Sequence, residues 1–469
     1  MADAKQTLHF VDGFWEKEIV PTLCEYIEIP NKSPLFDPKW VENGHMERVL
    51  QLALKWIEAH PLEGAKLHVG RLEGRTPLII LDVPGAIDKT VMMYGHLDKQ
   101  PEMVGWRDGL GPWKAVREGD KLYGRGGADD GYALFASVCA LKALREQGIP
   151  HARTVILIEF SEESGSPDLP AYVNHYADLI GDVDLVICLD SGAGNYDQLW
   201  STTSLRGMVG GTLTVKVLTE GVHSGDASGI VPSSFRVIRQ LLSRLEDPST
   251  GEIIPAEFKA KIPEQRLQQA QVAADALGQD VYAKFPWMPG MQPMHDDLTQ
   301  LVLNRTWRAT LSITGQDGMP PIESAGNVLR PHTSLQISLR LPPTTQAKKA
   351  QEKFIQLMSE NPPYGAKVEL VCEKYANGWN APELAPWLDT ILNEVSNEFY
   401  GKPAVHMGEG GSIPFMGMLG DKFPKAQFVV TGVLGPQSNA HGPNEFLHIA
   451  YAKKLTACVT HILAQHAQR

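Results

Sequence analysis

The chain has 469 residues, too many for one ordinary hydrophobic core, and 43% of them are hydrophobic, so two or three folded domains are expected. The formal charge of −12, from 55 acidic and 43 basic residues, argues against a general nucleic-acid-binding surface. The 43 glycines and 33 prolines are spread without period, which excludes collagen-like or low-complexity character.

The five cysteines, Cys24, Cys139, Cys188, Cys372 and Cys458, form no CxxC pair and are odd in number. A disulfide framework is not expected, and a reducing, cytoplasmic setting fits. The N-terminal stretch lacks a basic segment followed by an apolar run. No later segment offers about 18 uninterrupted apolar residues, so neither a signal peptide nor a membrane span is expected.

In chain order, Leu78–Val83, Val91–Tyr94, Val155–Phe160 and Leu185–Leu189 are short apolar runs that suit strands covered on both faces. Tyr132–Gln147, rich in Ala and Leu and followed by Gly148, predicts a helix. After Arg206 the pattern changes. Thr212–Leu218, Ser334–Leu341 and Lys367–Val371 alternate as half-buried strands do, and Ser234–Leu245 and Lys348–Met358 read as helices. Gly251–Gln300 is mixed, with helical character only. Near Trp379 the first pattern returns, with a helix over Leu384–Phe399, a strand over Gln427–Leu434 and a long terminal helix over Phe446–Gln465. The expected architecture is an α/β domain from residues 1–206 and 379–469, with an α+β domain, residues 207–378, inserted into it.

Five turn-like segments concentrate acids or histidine. Tyr94–Asp98 carries His96 and Asp98, which point to one side if the strand continues. A carboxylate behind a metal-bound imidazole fixes its tautomer. Gly124–Gly131 carries the adjacent Asp129 and Asp130, whose mutual repulsion a divalent cation would offset. Its glycines lack the spacing of a dinucleotide fingerprint, and no Lys-Ser/Thr follows to make a phosphate loop. Glu159–Gly165 carries Glu162 and Glu163, a pair able to divide metal binding from proton transfer. Asp190 ends the run Leu185–Leu189, and His441 lies in the loop Asn439–Glu445. Taken singly, each segment also reads as an acidic turn or helix cap. Four of the five, however, closely follow predicted strands, where ligands of open α/β folds gather.

Together GHLD, GRGxxDD, EE, DS and HGPNE, in this order, resemble the two-metal dipeptidase, carboxypeptidase and amino-acylase family, which includes carnosine dipeptidases, acetylornithine deacetylase and succinyl-diaminopimelate desuccinylase. The resemblance spans nearly the whole chain. It implies two divalent ions per subunit, one held by His96 and Asp190, the other by Glu163 and His441, with Asp129 bridging them. Asp98 would orient His96, and Glu162 would act as general base in direct hydrolysis by water. Zinc suits such a donor set, as do manganese and cobalt.

The inserted region resembles the family's lid and dimerisation domain. Its length is nearer the carnosine dipeptidase form. There His223, Asn327 and Arg340 match substrate-side positions, His223 often acting from the partner subunit of a homodimer. Glu409 and Ser412 lie in GEGGS, similar to the family's REGGS loop, with Gly408 in place of arginine. Gly131 likewise stands where the family often has lysine. The implied reaction is hydrolysis of a dipeptide. Deacylation or decarbamoylation of N-substituted amino acids would use the same centre, and a metal-bound interaction protein without catalysis is the reading from another class. No nucleic-acid or membrane partner is expected.

Overall fold

The computed structural model describes residues 2–469, leaving aside the side chain of Pro414. The chain divides into two compact units. The first comprises the described residues up to Thr203 with Ala381–His406 and Met418–Arg469; the second comprises Ser204–Asn380 and Met407–Gly417. The short segment Met407–Gly417 thus groups with the inserted unit, although it lies well beyond it in sequence.

Ten strands build the main sheets of the two units, six in the first and four in the second. In chain order they are β1 (Lys66–Gly70), β2 (Leu78–Val83), β3 (Ile87–His96), β4 (Ala152–Glu159), β5 (Leu185–Cys188), β6 (Gly207–Lys216), β7 (Thr310–Asp317), β8 (His332–Leu341), β9 (Lys367–Ala376) and β10 (Gln427–Val430). The first unit's sheet runs β1-β2-β4-β3-β5-β10. Strands β4, β3, β5 and β10 are mutually parallel, whereas β1 and β2 are added antiparallel at one edge. The last part of β3, most of β4 and all of β5 are buried, as expected of apolar runs with helices on both faces. Parallel strands carry all their carboxyl ends to one side of the sheet. His96, Glu159 and Cys188 end three of them, so the loops bearing His96–Asp98, Glu162–Glu163 and Asp190 emerge together.

The helix Ala133–Glu146 follows the Asp129–Asp130 loop and is buried along most of its length. The terminal segment differs from expectation at its start. Phe446–His448 is a strand pairing with Lys121–Tyr123, and the helix begins at Ile449. The cause is a cap: the His448 side chain accepts a hydrogen bond from the Tyr451 amide and closes the first turn there. The helix predicted over Leu384–Phe399 runs Pro386–Tyr400, with proline in its first turn and Gly401 closing it in the left-handed region.

In the second unit β7-β8-β6-β9 form an antiparallel sheet. Alternation puts Leu213, Val215, Leu335 and Ile337 on one face, where Val237, Ile238 and Phe354 of the helices Ser234–Leu242 and Ala347–Ser359 complete a core. The opposite face carries polar cross-strand pairs, Thr212 with Gln336 and Thr214 with Ser334.

Candidate metal centre

All the acids and histidines singled out for metal chemistry lie in the first unit, and the fold gathers them at the carboxyl edge of its sheet. His96 is fully buried at the end of β3. Its Nδ1 faces the Asp98 backbone oxygen at 3.1 Å and the Asp98 carboxylate at 3.4 Å. Residue 98 therefore engages the ring mainly through its carbonyl, because β3 ends at His96. The Asp98 carboxylate accepts hydrogen bonds from the Glu162 and Glu163 amides at 3.1 and 3.0 Å. One acid thus holds both the histidine and the glutamate turn in place.

On its other side, His96 Nε2 lies 3.4 Å from Asp129, 3.8 Å from Asp190 and 3.9 Å from Glu162. The second carboxylate oxygen of Asp129 lies 3.0 Å from His441 Nε2, which is 3.5 Å from Glu163. Two ligand-competent triads result, His96–Asp129–Asp190 and Asp129–Glu163–His441, each with donor atoms within 4.8 Å of one another. Asp129 belongs to both.

The donor chemistry fits a pair of divalent ions. His96 Nε2 and Glu163 Oε1 are buried and lack a hydrogen-bond partner. One such atom stands in each triad, and an orphaned buried polar atom is costly unless a ligand meets it. The electrostatics point the same way. Burial, together with the negative Asp129, pushes Asp190 up to about 7 against the pull of His96. Burial and the charge of Asp190 raise Glu162 well above the ordinary carboxylate range, and burial and Asp129 do the same to Glu163. For His96 burial acts downward, but Asp190, Asp129 and Asp98 outweigh it and raise the ring well above its usual value. A cluster that must otherwise bind protons to relieve its charge is suited to exchanging them for cations.

Four supporting features were not apparent in the sequence. Arg125 and Glu445 form a fully buried ion pair. Glu445 also accepts from the Gly126 amide at 2.8 Å, and Arg125 donates to the Gly442 carbonyl at 2.9 Å. The pair therefore ties the Asp129 loop to the His441 loop across more than three hundred residues. His441 itself sits at φ 64°, a region uncommon for side-chain-bearing residues, which its surrounding turn must hold. Gln100 donates to Glu163 at 2.5 Å, and the buried Glu159, raised to about 7 chiefly by burial, is held by Tyr94 and Ser166. A buried arginine in one motif and an acid in another would have been the sole signal for the first of these.

The residues expected on the substrate side lie in the second unit and form two groups. His223 pairs with Val328 in a two-stranded ladder, and the neighbouring Ser224 amide donates to the Asn327 carbonyl at 2.9 Å, so His223 and Asn327 are adjacent and exposed. Arg340, on β8, donates to Ser412 at 3.4 Å, and Ser412 donates to the Arg206 carbonyl. The Glu409 carbonyl accepts from the Arg206 amide at 3.4 Å.

The sequence profile of Peptidase family M20/M25/M40 matches residues 92–465. A cysteinylglycine-S-conjugate dipeptidase from Corynebacterium striatum is 28% identical over 86% of this chain and 88% of its own length. The β-Ala-His dipeptidase of Mus musculus is 24% identical over 75% of this chain and 73% of its own. Among solved structures, human carnosine dipeptidase 1 superimposes with a TM-score of 0.76 at 20% identity, covering all of both chains, a likeness of fold.

Proposed function

The chain belongs to the peptidase family M20/M25/M40, whose profile spans most of it, and on that premise we propose that it hydrolyses the amide bond of dipeptides at a centre of two divalent ions. The observation that carries this reading is the place of Asp129, between His96 and His441, with Glu162 beside the same histidine. His96 and Asp190 would hold one ion, Glu163 and His441 the other, and Asp129 both. When bound, such ions lower the pKa of water and polarise the scissile carbonyl.

The remaining work falls to the chain's own residues. Glu162, not committed to either triad, takes a proton from the attacking water and returns it to the leaving amine. Asp98 keeps His96 and the Glu162–Glu163 turn in register. His223 donates to the oxyanion as charge develops, with Asn327 alongside. Arg340, with Ser412, receives the substrate carboxylate, which a guanidinium holds through parallel hydrogen bonds. Glu409 shapes the same loop. Zinc is the ion we assign, with manganese or cobalt able to replace it in His and carboxylate sets. We place the enzyme in the cytoplasm, consistent with five free cysteines. We also assign a homodimer, for which the exposed strand β7 at the edge of the second unit's sheet offers a pairing surface. Among the described residues no helix is long and apolar enough to cross a membrane.

The names of the relatives favour peptides over acylated or carbamoylated amino acids. The test is amine release from dipeptides, tripeptides, N-acetyl and N-carbamoyl amino acids by protein reconstituted separately with zinc, manganese and cobalt. Preferential cleavage of dipeptides is expected. Preferential cleavage of the N-substituted amino acids would overturn the substrate class.

A further inference from the structure

Gly408 stands where the resemblance would put an arginine, and the structure shows why no side chain occupies it. A Cβ there would lie 2.4 Å from Ser204 Oγ and 2.9 Å from Thr306 Cβ. A guanidinium nevertheless reaches this loop, from the neighbouring helix Leu298–Thr306. Arg305 Nη2 lies 3.1 Å from the Met407 sulfur, and its Cγ would be 3.3 Å from a Cβ on Gly410.

The donors of Arg305 are poorly used. Its Nε is buried without a hydrogen-bond partner, a thioether is a weak acceptor, and no ion pair involves it among the described residues. Arg206, beside it, is in the opposite condition. It donates to the Gly410, Asn304 and Arg308 carbonyls and to Thr310 Oγ1, and is spent as a structural brace. Burial together with the repulsion of Arg340 and Arg305 holds Arg206 down at about 10, and burial with Arg305 brings Lys284 to about 8, with Glu409 the acid opposing it. Four cations thus share one part of the second unit. Arg340 makes one long bond to Ser412.

Uncompensated, half-buried cations are costly, and an anionic ligand relieves that cost. The terminal carboxylate of a dipeptide engages one guanidinium. Two with free donors call for a second carboxylate. We propose that Arg305, which like Arg340 adjoins the Arg206 brace, is a specificity-determining residue that selects dipeptides whose C-terminal residue is aspartate or glutamate. This rests on the dipeptidase reading and names the substrate class within it.

Two measurements separate the inference from the reading beneath it. Calorimetric titration of the metal-loaded protein with glutamate and with glutamine compares ligands of the same shape that differ in one charge. Glutamate is expected to bind about tenfold more tightly, the worth of one additional charge-assisted contact. Arg305→Met should remove that difference, and Arg305→Lys, which keeps the charge and guards against a folding defect, should keep part of it. Equal binding of the two ligands by the unaltered protein, or an equal loss for both in Arg305→Met, would overturn the inference. Hydrolysis of Ala-Glu against Ala-Gln gives the second readout: the preference should fall in Arg305→Met through KM on Ala-Glu while kcat/KM on Ala-Gln stays within about threefold. Selective glutamate binding with no hydrolysis of either dipeptide would sink the dipeptidase reading and leave the anion site standing.

Discussion

At the scale of single residues, the centre depends on which atoms lack partners. His441 is the most exposed of the proposed ligands, its side chain 53% accessible, and its ring faces both Asp129 and Glu163. His441→Ala should therefore reduce tightly held metal from two ions per chain toward one, as read by elemental analysis after dialysis. Two retained ions would remove His441 from the ligand set. The two departures from the family pattern also have local explanations. A Cβ on Gly131 would meet the Tyr26 ring at 2.2 Å and the Gly126 carbonyl oxygen at 2.6 Å. Tyr26 in turn packs on Lys99, whose buried ammonium lies 3.8 Å from the ring centroid and donates to the Tyr26 and Ile29 carbonyls. A lysine at 131 has no room in this packing. Gly131→Ala should cost about 1–3 kcal/mol, the usual penalty of overpacking, as a lowered thermal midpoint. An unchanged midpoint would show that Tyr26 gives way freely. The motifs that carry the metal ligands were legible in the sequence because each is short and its residues are local to one turn, most of them just past a strand end. The role of the Asp98 carbonyl was not, since it follows from where β3 stops.

At the scale of elements, two loops far apart in sequence have to meet for one ion site to exist. The buried Arg125–Glu445 pair is the fastening. Breaking a buried pair leaves the remaining charge without compensation, so Glu445→Gln should destabilise the first unit by about 3 kcal/mol. It should also weaken metal affinity, because the Gly126 amide and the His441 turn lose the same anchor. Loss of stability with metal affinity unchanged would separate the fastening from the site. This pairing was illegible in the sequence: nothing in a charge pattern tells which acid a distant arginine will find. Strand β7 was missed for a related reason. Its alternation is confined to Thr310–Thr314 and gives way to the polar Gly315–Asp317, so the exposed edge strand is short on apolar signal, whereas the better covered β6 and β8 were readable. The terminal helix was placed too early because Phe446 and Leu447 continue an apolar run, and the capping role of His448 depends on its side-chain geometry. No element was expected before Leu78, yet Ala4–Phe14, Val20–Ile27 and His45–Ala59 are helices.

At the scale of the whole molecule, the division into two units follows a change in strand pattern that the sequence displays, from fully apolar runs to alternating ones. The exact grouping did not: Met407–Gly417 joins the second unit through contacts such as Arg206 with Gly410. Stability against pH also belongs to this scale. His461, on the terminal helix, lies 3.1 Å from Thr7 of the first helix, and burial pushes its pKa down to about 4. Thr7 already donates to the Asp3 carbonyl, so the ring donates to Thr7 through Nε2–H, and burial keeps it neutral near pH 7. A histidine whose folded pKa is depressed takes up its proton more readily when unfolded. It is neutral with respect to stability above about 6.5, and stability falls as pH drops from there toward 4. After allowance for solvent screening the loss is about 1–2 kcal/mol. In metal-free protein, His461→Gln should flatten that part of the midpoint-against-pH curve relative to the unaltered chain. Parallel curves would show that other groups govern the acid limb.

In the proposed function a two-ion centre does chemistry through Glu162, a residue that holds neither ion. The most direct test is Glu162→Gln, reconstituted with zinc and measured in one preparation for metal content and for dipeptide turnover. We predict two ions per chain, as in the unaltered protein, with turnover reduced by about a thousandfold, the range expected on removing a general base. Turnover near that of the unaltered protein with both ions bound would contradict a role for Glu162 as general base.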